Sequence, residues 1–162
     1  MPFGFAACTG EMFEAIAPKG FVHGFTWSHN ALGAAAGRAV LQLLHEEDLV
    51  ARSAALGDRI RDELRAELAH CPIVGDIRGL GTMIGIELVR DVATKEPFAR
   101  AARVTERVVA HARDHELLVY SSTGHVDGVD GDLIVLGPPF VLTDEDEAIL
   151  VERTAAAIRS VA

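Results

Sequence analysis

The loop His23-Gly24-Phe25-Thr26-Trp27-Ser28-His29-Asn30 gathers two hydroxyls, two aromatic rings and two imidazoles directly before a helical pattern. A helix N-terminus with hydroxyls beside it suits an anion, because its free N–H groups and its dipole favour phosphate. The same residues also make an ordinary helix start, with Ser28 or Asn30 as the cap and Phe25 and Trp27 as apolar staples. On the residues alone, the capped helix is the simpler reading.

Other constellations fail on spacing. Gly79, Gly81 and Gly85 in RGLGTMIG imitate a dinucleotide fingerprint, but GxGxxG needs its third glycine one position earlier and must open a helix. A tight turn between strands accounts for them better. His111 and His115 lie four apart without the glutamate of HExxH or a third ligand, so they read as a solvated helix end. Asp127, Asp130 and Asp132 miss the alternate-residue spacing of a calcium loop and read as hairpin-turn residues. No GxSxG, Ser-x-x-Lys or Cys/His nucleophile context is present. No metal site is expected.

The net charge of −9 argues against nucleic acid or an anionic membrane as partner, since both require clustered Lys and Arg. Cys8 and Cys71 are far apart and form no paired framework, which points to two reduced, buried thiols in a cytoplasmic protein. No apolar run reaches the ~18 residues that span a bilayer, and the N-terminus lacks the basic lead of a signal peptide. It starts instead in apolar, strand-like residues, as though in mid-domain.

The positioning elements follow from periodicity. Phe3 to Cys8 reads as a short buried strand, Gly10 to Ala17 as a helix stopped by Pro18 and Gly20, and Phe21 to His29 as a loop. A helix from Asn30 to Glu47 carries Leu32, Ala36, Val40, Leu43 and Leu44 on one face. A second helix has Leu56, Ile60, Leu64 and Leu68 at four-residue spacing and ends at Pro72. Ile73 to Ile77 and Thr82 to Val89 read as strands around a turn at Arg78 to Gly81. Ala101 to Asp114 is a third helix, with Val104, Val108 and Ala112 facing inward. Leu117 to Tyr120 and Asp132 to Leu136 are strands joined by the Gly- and Asp-rich Ser121 to Gly131. Thr143, with Asp146 three residues on, starts the last helix. The order predicts an α+β layer, a sheet covered on one side by helices.

These segments, taken in order, resemble the class III (omega-type) aminotransferases. HGFTWSHNALGAAAGRAVLQLLHEEDL is similar to the family's HG-x-T-Y-x-G-H-P, its small-residue helix and its E-E-D-L-type ending. VGDIRGLGTMIGIELV is similar to V-G-D-x-R-G-x-G-L-M-x-G-I-E-L, and VLGPPFVLTDEDEAIL to the family's strand, double proline and last helix. The resemblance implies an α/β protein of fold type I. Residues 1–29 would be the end of the large domain with its active-site loop, 30–48 an interdomain helix, and 49–162 the small C-terminal α+β domain.

It also implies pyridoxal 5'-phosphate as cofactor, small-molecule amines and keto acids as substrates, and a homodimer. Thr26 matches the threonine offered to the phosphate of the neighbouring subunit's cofactor. Phe25 and Trp27 would line the site at that boundary, Trp27 standing where tyrosine is usual and Asn30 where histidine is usual. Tyr120 stands where many members carry the arginine that clamps a substrate carboxylate, so it is assigned to the substrate pocket. Met1-Pro2-Phe3-Gly4 resembles the segment just after the family's Schiff-base lysine. Lys19 and Lys95, the only lysines in the sequence, match no such context. The expectation is therefore a C-terminal portion without the catalytic lysine, inactive alone. A non-catalytic dimerisation or regulatory domain of the same descent is the alternative.

Overall fold

Leucine or isoleucine at every fourth position from Leu56 to Leu68 puts one apolar stripe on one helical face. In the computed structural model, which describes residues 4–21 and 23–162, that stripe belongs to helix α3 (Leu49–Glu67) and the turn after it. All four side chains are buried. The chain divides into two units, Met1–Asp48 and Leu49–Ala162.

The second unit holds the core. Its four strands are β1 (Val74–Leu80), β2 (Met83–Leu88), β3 (Tyr120–Thr123) and β4 (Asp132–Leu136). They form one antiparallel sheet in the order β1-β2-β4-β3. Alternation does the sorting. Ile84, Ile86 and Leu88 of β2 and Ile134 and Leu136 of β4 are buried, while Met83, Gly85, Glu87, Leu133 and Val135 are not. Helix α3 packs on β1 and β2, and α4 (Val104–Asp114) on β3 and β4. Helix α5 (Asp144–Arg159) packs on both helices. Each fully buried Ile or Leu stabilises the unit by about 1.5–3 kcal/mol relative to exposure, so this single layer accounts for most of its cohesion.

The start of α5 has the predicted capping box. Asp146 N donates to Thr143 Oγ1 at 3.1 Å, and Thr143 N donates to the Asp146 carboxylate at 3.4 Å. The order of one helix, two strands, one helix, two strands and one helix from residue 49 onward is as the sequence predicts.

Several boundaries differ. Strand β1 continues to Leu80, so the turn falls at Gly81 and Thr82 rather than at Arg78 to Gly81. The third helix is broken. A 3-10 turn (Arg100–Ala102) leads into Arg103, left-handed at φ 51°, and α4 begins only at Val104. Strand β3 starts at Tyr120, not Leu117, because pairing with β4 begins with Tyr120 opposite Val135. Ser121 and Ser122 are thus strand residues.

In the first unit, α1 (Gly10–Ile16) passes into a 3-10 turn (Ala17–Lys19), and α2 (Ala31–Glu46) follows the loop. Of the expected strand at Phe3 to Cys8, Phe3 lies outside the described residues. Gly4 to Cys8 is exposed and irregular, since the described residues of this unit include no second strand to take its amides. Cys8 is accordingly exposed, not buried, and Cys71 is half-buried; both are free thiols. Val22, within the expected loop, also lies outside the described residues. Among the residues described in this unit only Gly33 is buried. No helix of the described residues is long and apolar enough to cross a membrane.

Candidate functional site

The loop before α2 is built by short-range hydrogen bonds. Ser28 N donates to the Phe25 carbonyl at 2.9 Å, and Phe25 N donates to Ser28 Oγ at 2.9 Å, closing a reciprocal turn. Asn30, not Ser28, caps the helix: its Oδ1 accepts from Gly33 N at 2.9 Å. Between them His29 is left-handed at φ 60°, a conformation costly for any residue with a Cβ. It occupies the place of the glycine in Y-x-G-H-P.

Thr26 sits at the crest of this turn, exposed. None of the hydrogen bonds that close the turn uses its hydroxyl, which leaves it open to a ligand. Its neighbours Phe25 and Trp27 are 72% and 78% exposed. They wall an open hollow of about 630 Å³ together with Phe5, His23, Ser28 and His29. Aromatic packing holds one side of it. The His23 ring meets Phe25 edge-on at 4.8 Å between centroids, and Phe21 at 5.7 Å. Thr26, Phe25 and Trp27 are therefore brought together by one turn.

Tyr120 belongs to the second unit and is described there. It opens β3, is 71% exposed, and stands in the cross-strand row Tyr120–Val135–Gly85–Arg78 on the sheet face away from the helices. The next row is Ser122–Leu133–Glu87–Asp76. Arg78 Nη1 donates to Glu87 Oε2 at 2.6 Å and to Asp76 Oδ2 at 3.0 Å. These bonds, the one to Glu87 foremost, hold the guanidinium above its ordinary pKa. The cation in this pair of rows thus already faces two carboxylates, and the rest of both rows is neutral.

Neither lysine lies in the sequence context of the family's Schiff-base lysine. Lys95 Nζ donates to the Gly75 carbonyl at 2.6 Å, and Lys19 closes the 3-10 turn after α1. A cofactor phosphate fits the open Thr26 hydroxyl in type and exposure. A cofactor aldehyde finds no uncommitted amine at Lys95.

Sequence reasoning missed one polar group. Asp132, expected as a hairpin-turn residue at the start of a strand, is buried, and its Oδ1 accepts from Thr105 Oγ1 at 2.5 Å and Thr105 N at 3.3 Å. The absent capping residue before Val104 was its available signal.

The family model for Aminotransferase class-III matches residues 1–158. This chain belongs to the class III aminotransferases. The aminotransferase YhxA of Bacillus subtilis is 36% identical across 99% of the chain and 36% of its own length. An (S)-enantioselective omega-transaminase from Thermomicrobium roseum superposes with a TM-score of 0.80 at 33% identity, over 94% of this chain and 33% of that one. An amine transaminase from an uncultivated Pseudomonas species, in its PLP-bound form, gives 0.75 at 31% identity, over 87% and 30%. The chain spans about a third of the length of the class III aminotransferases it matches.

Proposed function

We propose that this chain is the C-terminal portion of a pyridoxal-phosphate-dependent aminotransferase that moves an amino group between an amine or amino acid and a keto acid. The observation that carries this reading is the Phe25–Ser28 turn, which exposes the Thr26 hydroxyl at the position of the family's phosphate-binding threonine. When bound, the cofactor supplies an electron sink for the substrate's α-carbon. Thr26 donates to its phosphate across a homodimer boundary, while Phe25 and Trp27 exclude water beside it. A hydrogen bond to a charged oxygen is worth about 1.5–3 kcal/mol.

Tyr120 lines the substrate pocket in this reading. A phenol cannot form the bidentate charged pair that guanidinium gives a carboxylate, and Arg78 is already paired with Glu87 and Asp76. The reading therefore favours substrates without a second carboxylate. The portion of the enzyme in this chain is inactive by itself in this reading, since neither Lys19 nor Lys95 lies in the family's Schiff-base context.

Three experiments bear on this. Reading the genome upstream of the Met1 codon is expected to show an in-frame strand ending in Asp and a Lys-Gly-Leu-Gly-like loop. In the extended enzyme, Thr26→Val then weakens cofactor affinity at least about tenfold, and Tyr120→Phe changes substrate preference. A promoter directly upstream of Met1 would favour a non-catalytic dimerisation or regulatory domain instead, the reading that the absence of a lysine in the family's context supports. Adding pyridoxal phosphate to the 162-residue chain is expected to give no strong Schiff-base absorbance; a strong band contradicts the inactivity assignment.

A further inference from the structure

The β3–β4 hairpin carries Tyr120 at one end, and its other end is held by two carboxylates whose partners lie on a different element. Asp132 opens β4 opposite Thr123, three residues from Tyr120. It is 3% exposed, and Oδ1 takes both the hydroxyl and the amide of Thr105, itself buried in the first turn of α4. Helix α4 needs this acceptor. Its own cap position is the left-handed Arg103, which makes no side-chain capping bond, and uncapped first-turn amides lack partners. Asp132 supplies from a neighbouring strand what Ser, Thr or Asp normally supplies from the cap itself.

Asp130 does the same one turn earlier, accepting from Arg100 N at 2.8 Å. Arg100 in turn donates to Glu106 at 3.1 Å, tying the 3-10 turn to the first turn of α4. The hairpin is closed between the two carboxylates by Gly124 N to the Gly131 carbonyl, 2.9 Å, and by Val126 N to the Asp130 carbonyl, 3.0 Å. Hairpin and helix start are therefore one connected body.

We propose that Asp130 and Asp132 act as a clamp that fixes β3, and with it Tyr120, against the N-terminus of α4. They are positioning residues. Their relevance to substrate rests on the pocket role given to Tyr120 above; the clamp itself does not.

Tyr120 is the sole tyrosine of the chain, so incorporation of 3-fluorotyrosine yields one fluorine resonance that reports on this site alone. In Asp132→Ala the resonance is expected to move or broaden, and the Thr105 amide to exchange about tenfold faster. Asp132→Asn keeps an acceptor oxygen and restores both readings. Val151→Ala, which thins the buried face of α5, lowers stability but leaves the resonance in place. A resonance that stays put in Asp132→Ala, or that moves equally in Val151→Ala, overturns the proposal. If Asp132→Ala does not fold, Asp130→Ala decides: the clamp requires faster exchange at Arg100 and a displaced resonance, and unchanged values overturn it. A failure of Thr26→Val to alter cofactor affinity would sink the functional reading and leave the clamp standing.

Discussion

Arg59 of α3 and Glu147 of α5 meet as a fork, Nε to Oε1 at 3.1 Å and Nη2 to Oε2 at 2.6 Å. The pair is asymmetric: the Glu147 side chain is 6% exposed and that of Arg59 52%. Hydrogen bonding to Glu147 is the main cause holding the guanidinium above its ordinary pKa. Deleting Arg59 leaves a buried carboxylate without its partner, whereas neutralising Glu147 leaves a guanidinium that water can reach. Arg59→Ala is expected to cost about 2 kcal/mol and Glu147→Gln about 1 kcal/mol. Urea unfolding followed by circular dichroism measures both; equal losses would argue against a buried carboxylate.

Helix α3 also approaches the β1–β2 turn more closely than any side chain allows. A methyl placed on Gly57 would lie 1.8 Å from the Gly81 carbonyl oxygen. Arg61 donates to that same oxygen at 2.9 Å, and Thr82 N donates to Ser53 Oγ at 3.4 Å, so the turn cannot retreat without breaking both. Gly57→Ala should therefore lose about 3 kcal/mol or more. Gly85→Ala meets the flexible end of Leu133 at 3.3 Å and the Arg78 carbonyl at an ordinary 3.8 Å, and should lose under about 1 kcal/mol. Comparable thermal midpoints for the two variants would contradict the close contact.

Acid stability has a specific contributor at the start of α4. Hydrogen bonding to Arg100 lowers the Glu106 carboxyl from 4.5 to about 2 in the folded chain. A depressed folded pKa adds stability above the unfolded value and loses it as pH falls toward the folded one. The window is therefore about pH 4.5 down to about pH 2. Stability of the parent chain should drop through that window by more than that of Glu106→Gln, which lacks the titration. Urea midpoints at both ends of the window measure the difference, and parallel pH profiles would exclude Glu106 as the source.

The parts of this fold visible in the sequence are those encoded by near neighbours. The four-residue spacing from Leu56 to Leu68, the Thr143–Asp146 box and the alternation of Asp132 to Leu136 each need only a few consecutive residues, and each is found as read. What stayed hidden depends on distant partners. Leu117 to Val119 are as apolar as a strand, yet β3 starts only where β4 lies opposite. Asp132 lies in a Gly- and Asp-rich run that looks like a turn, and Thr105, the partner that justifies its burial, is 27 residues away. The site divides in the same way. Thr26, Phe25 and Trp27 share one turn because they are adjacent, but their roles came from the family pattern rather than from physics. His29 joins the two: at φ 60° it shows why that pattern has glycine there.

The surface of α2 leads to the last prediction. Leu32, Val40 and Leu43 follow the helical period and share a face, and all three are exposed, at 69%, 56% and 49%. Contiguous apolar stripes of this kind are rare on monomers and drive association. The helix is well formed in itself, with Asn30 capping its start, so the stripe survives as a rigid target instead of collapsing. Light scattering on the 162-residue chain at dilute concentration should accordingly give a mass above that of one chain. Leu32→Glu with Val40→Glu should lower it while leaving helical circular dichroism intact. A monomer in the unmodified chain, or a double variant that associates as strongly, would mean that this face does not drive assembly.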